Sequence, residues 1–278
     1  MPNDNKFAVL IDAENISDKY IKIILDEISN DGVATYKRIY GDWTNSALAS
    51  WKKVLLDNSI IPIQQYSYTA GKNASDSAMI IDAMDILYTG QVDGFCLVSS
   101  DSDFTRLAAR LREGGMLVVG MGERKTPKSF ISACNRFKYL DILATSEAPQ
   151  KPQKPEKADP PERPARQKAQ KQEKPEPQKQ PDPPKDEPKE EPAKGGDAIG
   201  LATIKKALKA IAQENSDEDG WVFIGTIGNL LVKRYPDFDV RNFGFSKLTP
   251  FLESVGLFDI KSVRAPDNAG KLIYVKLR

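Results

Sequence analysis

Short apolar runs alternate with amphipathic stretches over roughly the first half of the chain. The first apolar run, residues 7–11, ends in Asp12, and residues 17–29 follow with the apolar spacing of a helix for which Ser17 is the predicted N-cap. Further strands are predicted at 33–40, 60–65, 95–99 and 117–120, and further helices at 46–56, 75–88 and 104–113. This alternation is typical of a parallel sheet with helices on both faces, so we expect an α/β, Rossmann-like domain over residues 1–146.

The pattern changes twice in the second half of the chain. Residues 147–198 contain most of the 19 Pro, and alanine is the only apolar residue between Gln150 and Ala193, so we predict a disordered linker rich in Pro, Lys and Glu. Residues 199–278 predict helices at 199–212, 224–235 and within 240–255, with Gly256 at a helix end. A hairpin, 258–263 with 272–276, follows, and three helices with a hairpin predict a small winged helix-turn-helix domain.

Composition narrows the chemistry that the chain can carry. It has 40 Lys+Arg, 39 Asp+Glu and no His, which excludes His-based nucleophilic or acid–base catalysis and His-containing zinc sites. Cys96 and Cys134 lie in apolar surroundings without metal-ligand spacing, as buried thiols of a reduced protein do. No segment resembles a signal peptide or a membrane span, so we expect a cytoplasmic protein without a membrane partner. Any catalysis must therefore depend on carboxylates.

Carboxylates follow two of the predicted strands. Asp12 ends the first strand, with Asn15 in the loop after it, and Asp101 and Asp103 follow the strand at 95–99, while Asp76 begins a helix. Ligands bind beyond the carboxyl ends of parallel strands, where these side chains would repel one another unless a cation lay between them. Oxygen ligands favour Mg²⁺ or Mn²⁺ and hydrolytic chemistry. The alternative is that these residues only form turns and helix caps.

Four motifs resemble, in order, those of NYN domains, which are relatives of PIN nucleases. They are residues 9–15 (VLIDAEN), 40–43 (YGDW), 72–76 (KNASD) and 98–104 (VSSDSDF). The resemblance implies a PIN-like sheet and a ribonuclease site that depends on Mg²⁺ or Mn²⁺. It assigns Asp12, Asp76, Asp101 and Asp103 to metal binding and catalysis, with Asn15 as the accompanying amide. Asn135 stands where the family often has an acidic residue.

Residues 199–278 resemble an OST-HTH domain, also called LOTUS. The matching segments are 220–222 (GWV), 230–236 (LLVKRYP), 243–248 (FGFSKL) and 273–275 (IYV). The resemblance implies RNA binding and, in some relatives, protein binding. Candidate nucleic-acid contacts are the basic residues Arg241, Lys247, Arg264 and Lys271 here and Lys72 in the first domain. Trp221, Phe243 and Phe251 are expected in the core rather than as base-stacking residues.

The leading hypothesis is a metal-dependent ribonuclease that cleaves RNA internally and carries a tethered RNA-binding domain. The alternatives are a non-catalytic RNA-binding scaffold and a DNA-binding regulator that uses the winged helix. Balanced charge disfavours the regulator. The class of RNA stays open, as does a homo-oligomer or protein partner through the C-terminal domain.

Overall fold

The computed structural model describes residues 5–66, 74–147, 199–264 and 271–278. In the N-terminal domain, six parallel strands form one sheet. The strands are β1 (Lys6–Asp12), β2 (Val33–Gly41), β3 (Ile61–Gln64), β4 (Gly94–Val98), β5 (Leu117–Gly122) and β6 (Arg136–Tyr139). The helices are α1 (Ile21–Ser29), α2 (Trp51–Asp57), α3 (Ala74–Thr89), α4 (Thr105–Glu113), α5 (Lys128–Ala133) and α6 (Leu140–Glu147). The predicted α/β class is therefore confirmed.

Helices cover both faces of this sheet, and alternate residues of each central strand enter different cores. In β1, Phe7, Val9 and Ile11 pack on one side, whereas Ala8 and Leu10 pack on the other. Burial on both faces explains why the strand reads as a continuous apolar run rather than as an alternation of apolar and polar residues. The two cysteines are buried and free, as predicted.

The strand order is β3-β2-β1-β4-β5-β6, so the chain reverses its direction of progress across the sheet between β1 and β4. These two strands are direct neighbours, with Ile11 paired to Val98. Their carboxyl ends therefore lie side by side at the switch point, where open α/β sheets bind ligands.

The C-terminal domain combines helices with a three-stranded antiparallel sheet of order β7-β9-β8. Its elements are α7 (Leu201–Asn215), β7 (Trp221–Phe223), α8 (Ile224–Arg234), α9 (Leu248–Val255), β8 (Phe258–Arg264) and β9 (Lys271–Leu277). Gly256 ends α9 with a left-handed φ of 72°, which confirms the predicted helix end. Among the residues described, no helix is long and apolar enough to span a bilayer.

Several local predictions need correction. Ser17 precedes a 3-10 turn and makes no side-chain cap, and α1 begins only at Ile21. The third helix predicted within 240–255 is present as α9, and a separate 3-10 turn at Val240–Phe243 precedes it and ends at Gly244, whose φ of 81° is left-handed. Pro250 lies in the first turn of α9, where its missing N–H has no intrahelical partner to lose. The elements α5, β6, α6 and β7 were not predicted. Most of the predicted linker, 147–198, lies outside the residues that the structure describes.

The described parts of the two domains form one compact unit with direct contacts between them. The guanidinium of Arg241 bonds Glu27 of α1, with 3.0 Å between Nη2 and Oε2, and the Tyr139 hydroxyl donates to Asp237 at 2.9 Å. The backbone N–H of Phe137 in β6 donates to the Pro236 carbonyl at 2.7 Å. The sequence predicts only a tether, and these contacts add a direct interface.

We expect Arg241→Ala to weaken this docking, because it leaves Glu27 buried beside Lys138 without its second cationic partner. The loss should be about 1–2 kcal/mol, since the Arg241 side chain is partly exposed. Although burial acts to raise the pKa of Glu27, the bonds from Arg241 and the charge of Lys138 lower it. The contribution of Glu27 is therefore present above its unfolded pKa and is lost as pH falls through its folded pKa.

The measurement is small-angle scattering together with thermal unfolding. The variant should show a larger radius of gyration and separate unfolding of the two domains. Arg278→Ala removes an exposed arginine of the same domain, paired only with Asp259 of that domain among the ion pairs described, and serves as the control. An unchanged scattering curve for Arg241→Ala would show that the pair does not hold the domains together.

Candidate active site

The carboxylates lie on three elements that meet at the switch point between β1 and β4. Asp12 is the last residue of β1, and residues 99–103 form the loop that leaves β4. Asp76 lies in the first turn of α3. The partial positive charge of a helix N-terminus favours an anionic side chain at this position.

Three of these side chains converge on one point. Carboxylate oxygens of Asp76, Asp101 and Asp103 all lie within 4.8 Å of one another. Asp76 is buried, Asp101 is partly exposed and Asp103 is exposed, so the cluster opens to solvent on one side. Asp101 also caps the 3-10 turn at Ser102–Phe104 by accepting from the Asp103 N–H at 3.0 Å. The cap expected as the alternative role is thus present together with the cluster.

Asp12 lies beside this trio but is held differently. Its Oδ1 accepts the N–H groups of Glu14 and Asn15, at 3.0 and 3.2 Å. Its Oδ2 accepts the Asn15 side-chain amide at 2.7 Å and the Ser99 hydroxyl at 2.8 Å. Four donors occupy the lone pairs of the two oxygens in this arrangement. The prediction that Asp12 binds a metal directly stays a prediction.

Burial and mutual repulsion shift the titration of the cluster. Burial, followed by the charges of Asp12, Asp101, Asp103 and Glu14, raises the pKa of Asp76 to about 7. Burial also raises the pKa of Asp12, although the bonds from Ser99 and Asn15 oppose that shift. At neutral pH this group of carboxylates therefore carries concentrated negative charge together with a proton that is easily displaced.

Two contributors were missed from the sequence. Ser99 is fully buried and orients Asp12, and its oxygen also accepts the Asp101 N–H at 3.1 Å. Glu14 accepts the Ser75 hydroxyl at 2.8 Å, which ties the loop after β1 to the start of α3. Both residues lie within the motifs that indicated the site. The sequence therefore points to these segments, but it does not reveal the hydrogen bonds that the two side chains make.

The basic residues predicted to contact nucleic acid have different surroundings in the structure. Lys72 lies outside the described residues. Arg241 bonds Glu27 and Asp239, so its guanidinium serves the domain interface in this structure rather than nucleic acid. Lys247, Arg264 and Lys271 are exposed, and Arg264 pairs with Lys271 across the hairpin of β8 and β9. Their roles in binding stay predictions.

Other expectations are also resolved by the structure. Two further carboxylates of α3 lie outside the cluster: Asp82 accepts hydrogen bonds from Arg38 and Tyr40, whereas Asp85 is exposed. Asn135 joins the starts of β5 and β6, with its side chain accepting the Val118 N–H at 2.8 Å, so it lies at the opposite end of the sheet from the carboxylates. Phe251 is in the core and Phe243 packs against it, but the core placement of Trp221 is wrong.

The chain thus combines an acidic cluster at the switch point of a parallel α/β sheet with a small winged-helix-type domain. Each of the two domains matches the model of a known protein family. Residues 6–141 form an NYN domain, and residues 201–268 form an OST-HTH/LOTUS domain. NYN domains are a nuclease family, generally dependent on divalent metals, and LOTUS domains bind RNA.

Two solved structures are similar to parts of the chain. A Vibrio parahaemolyticus protein of unknown function is 19% identical, with a TM-score of 0.42, over 49% of this chain and 93% of its own. An uncharacterized Nitrosomonas europaea protein is 30% identical, with a TM-score of 0.26, over 32% of this chain and 85% of its own. No curated protein matches the chain. Both TM-scores are low, so neither likeness supports a conclusion about function.

We expect Asp76→Asn to stabilise the metal-free protein at pH 8 by about 1–3 kcal/mol. Because folding raises the pKa of Asp76 to about 7 from 3.8, ionisation costs stability increasingly as pH rises between these values. The gain should therefore be largest above pH 7 and nearly absent at pH 4. Denaturant unfolding in EDTA measures it.

Asp85→Asn is the matched control, since Asp85 is an exposed carboxylate of the same helix outside the cluster. It should leave the free energy of unfolding within about 0.5 kcal/mol of wild type at both pH values. An Asp76→Asn variant that is no more stable than wild type at pH 8 would contradict the proposed crowding of negative charge.

Proposed function

We propose that this protein is a divalent-metal-dependent ribonuclease that cleaves RNA internally, with the C-terminal domain as an RNA-binding partner to the site. The observation that carries the proposal is the convergence of Asp76, Asp101 and Asp103 within 4.8 Å at the sheet's switch point. The NYN family model supports a nuclease, and the LOTUS model favours RNA over DNA as its substrate.

The donor set fits a hard cation. Ionised carboxylates about 5 Å apart repel by roughly 3 kcal/mol per pair at an effective dielectric of 20, so the cluster favours a bound positive charge. The three carboxylate oxygens lie within 4.8 Å of one another, and adjacent oxygen ligands of one octahedral Mg²⁺ are about 3 Å apart, so side-chain rotations that move them by about an ångström or two would bring them around a single ion. Oxygen-only ligands, without His or Cys nearby, suit Mg²⁺ or Mn²⁺.

In this proposal the trio of carboxylates holds the ion, and Asp12 adds negative charge behind it. A bound divalent ion would supply charge that stabilises the phosphodiester transition state and would lower the pKa of an attacking water. Asp76 gives up its proton when the ion binds, since its raised pKa leaves it partly protonated near pH 7. Asp103, on the exposed side, lies where RNA reaches the cluster. Ser99 and Asn15 keep Asp12 in a fixed orientation.

The proposal predicts metal-dependent cleavage that Asp101→Asn abolishes. Purified full-length protein is incubated with end-labelled single-stranded RNA, circular RNA and single-stranded DNA, in Mg²⁺, Mn²⁺ or EDTA. We expect RNA cleavage only with metal, with circular RNA also cut because the attack is internal. Removal of one of the three carboxylates should lower the rate by about a hundredfold or more, since the remaining pair holds the ion poorly.

Asp85→Asn again serves as the control and should cleave like wild type, because it removes an equal charge from the exposed face of α3. Intact RNA under every condition, with RNA binding retained, would favour the non-catalytic scaffold. Cleavage of linear RNA with circular RNA left intact would indicate an exonuclease instead.

A further inference from the structure

The three-stranded sheet of the C-terminal domain has a second, outward face. Val222 of β7 and its partner Val275 of β9 are both buried in the domain core. Successive side chains on a strand point to opposite faces, so Trp221 and Phe223 point away from that core. Tyr274, which pairs with Phe223 across the strands, points the same way. Three aromatic side chains therefore share the outward face.

The rings are arranged beside one another rather than buried. The centroids of Phe223 and Tyr274 are 5.8 Å apart, and Phe223 is 40% exposed. The Phe223 ring lies over the start of α8, where a Cβ on Gly225 would come within 2.5 Å of it. Glycine at this position makes room for the ring. Trp221 and Phe223 are two residues apart on one strand, about 7 Å, so each ring is a separate stacking surface.

Two lysines share this face with the rings. The Lys261 ammonium lies 5.4 Å from the centroid of the Trp221 ring. Lys276 pairs with Trp221 in the register of β7 and β9, and both lysines are exposed. Asp259, opposite Lys276 on the other side, is bonded by Arg278 at 2.8 Å. Its charge is therefore compensated, which leaves the face aromatic and cationic.

We propose that this aromatic face, formed by Trp221, Phe223, Tyr274, Lys261 and Lys276, binds unpaired nucleotides of RNA by stacking. The inference rests on the proposed function in taking RNA as the ligand, but it assigns the contact to a surface remote from the acidic cluster in sequence. Rings accept the faces of bases, and adjacent lysines neutralise phosphates, which is the combination that single-strand binding requires. Neither a purely apolar partner nor a duplex uses both features.

The proposal also describes the ligand. Stacking accepts any base, so the face reads little sequence and selects for unpaired strands over duplexes. The two lysines make binding sensitive to salt. The slope of log K for binding against log salt concentration should be about −0.7 for each phosphate contacted. The substrate class is therefore single-stranded or loop RNA, held by the C-terminal domain while the carboxylates act elsewhere on the same strand.

The test measures RNA binding by the full chain in EDTA, with Asp101→Asn present in every sample to prevent cleavage. The probe is a labelled single-stranded RNA of about 12 nucleotides, followed by fluorescence anisotropy. Trp221→Thr combined with Phe223→Thr should weaken binding about 25-fold or more, since each lost stack is worth about fivefold or more. Trp221→Phe keeps a ring and should bind nearly as wild type. Mutation of both Lys261 and Lys276 to Gln should reduce the steepness of the plot of log K against log salt concentration by about 1.4.

Tyr88→Thr is the control, because it removes an exposed aromatic ring from the N-terminal domain. A base stacked on Trp221 should also quench its fluorescence, and this change should vanish in Trp221→Phe. Melting curves that match wild type establish that the variants are folded.

Wild-type affinity in the double threonine variant, or no RNA binding by wild type, would overturn the proposal. Equal affinity for a duplex of the same length would overturn it as well. Absence of cleavage in the unmutated protein, with ring-dependent binding retained, would reject the ribonuclease and leave this surface in place.

Discussion

The repulsion among carboxylates at the carboxyl end of the parallel sheet is the constraint on which the arrangement of this part of the molecule depends. A parallel sheet with its switch point between β1 and β4 brings their carboxyl ends together, and each end carries acidic residues. Two features offset that crowding: Ser99 and Asn15 donate hydrogen bonds to Asp12, and Asp76 lies in the first turn of α3, where the helix dipole favours a negative charge. The geometry favours an added cation over a self-sufficient network of carboxylates.

The sequence predicts much of this because the relevant signals are local. Apolar runs on strands buried on both faces are continuous, and the acidic residues immediately follow two of them, so sheet topology alone brings Asp12 near Asp101. Resemblance to a family supplied the role of Asp76, which its position at a helix start does not reveal. By contrast, Ser99 looks like any loop serine until its burial is known.

Long-range contacts could not be predicted in the same way. Arg241 pairs with Glu27 over 214 residues of chain, and nothing in the local pattern distinguishes this arginine from one that contacts phosphate. Trp221 shows the opposite error. Its aromatic character suggested a core residue, but the alternation of β7 is fixed by the burial of Val222, which turns Trp221 outward. One residue of register decides whether a ring packs in the core or lies on the outward face of the sheet.

The contact between Phe137 and Pro236 has a consequence for solubility. The strand β6 is an outer strand of the sheet, and such strands offer unpaired backbone groups that can recruit another chain. Here the N–H of Phe137 is already taken by the C-terminal domain. At the other margin, β3 contains Pro62, which has no N–H to offer. An N-terminal domain cut away at the linker would therefore expose the edge strand β6, which the C-terminal domain contacts in the intact chain, and aggregation of the fragment would reflect the cut rather than the native protein.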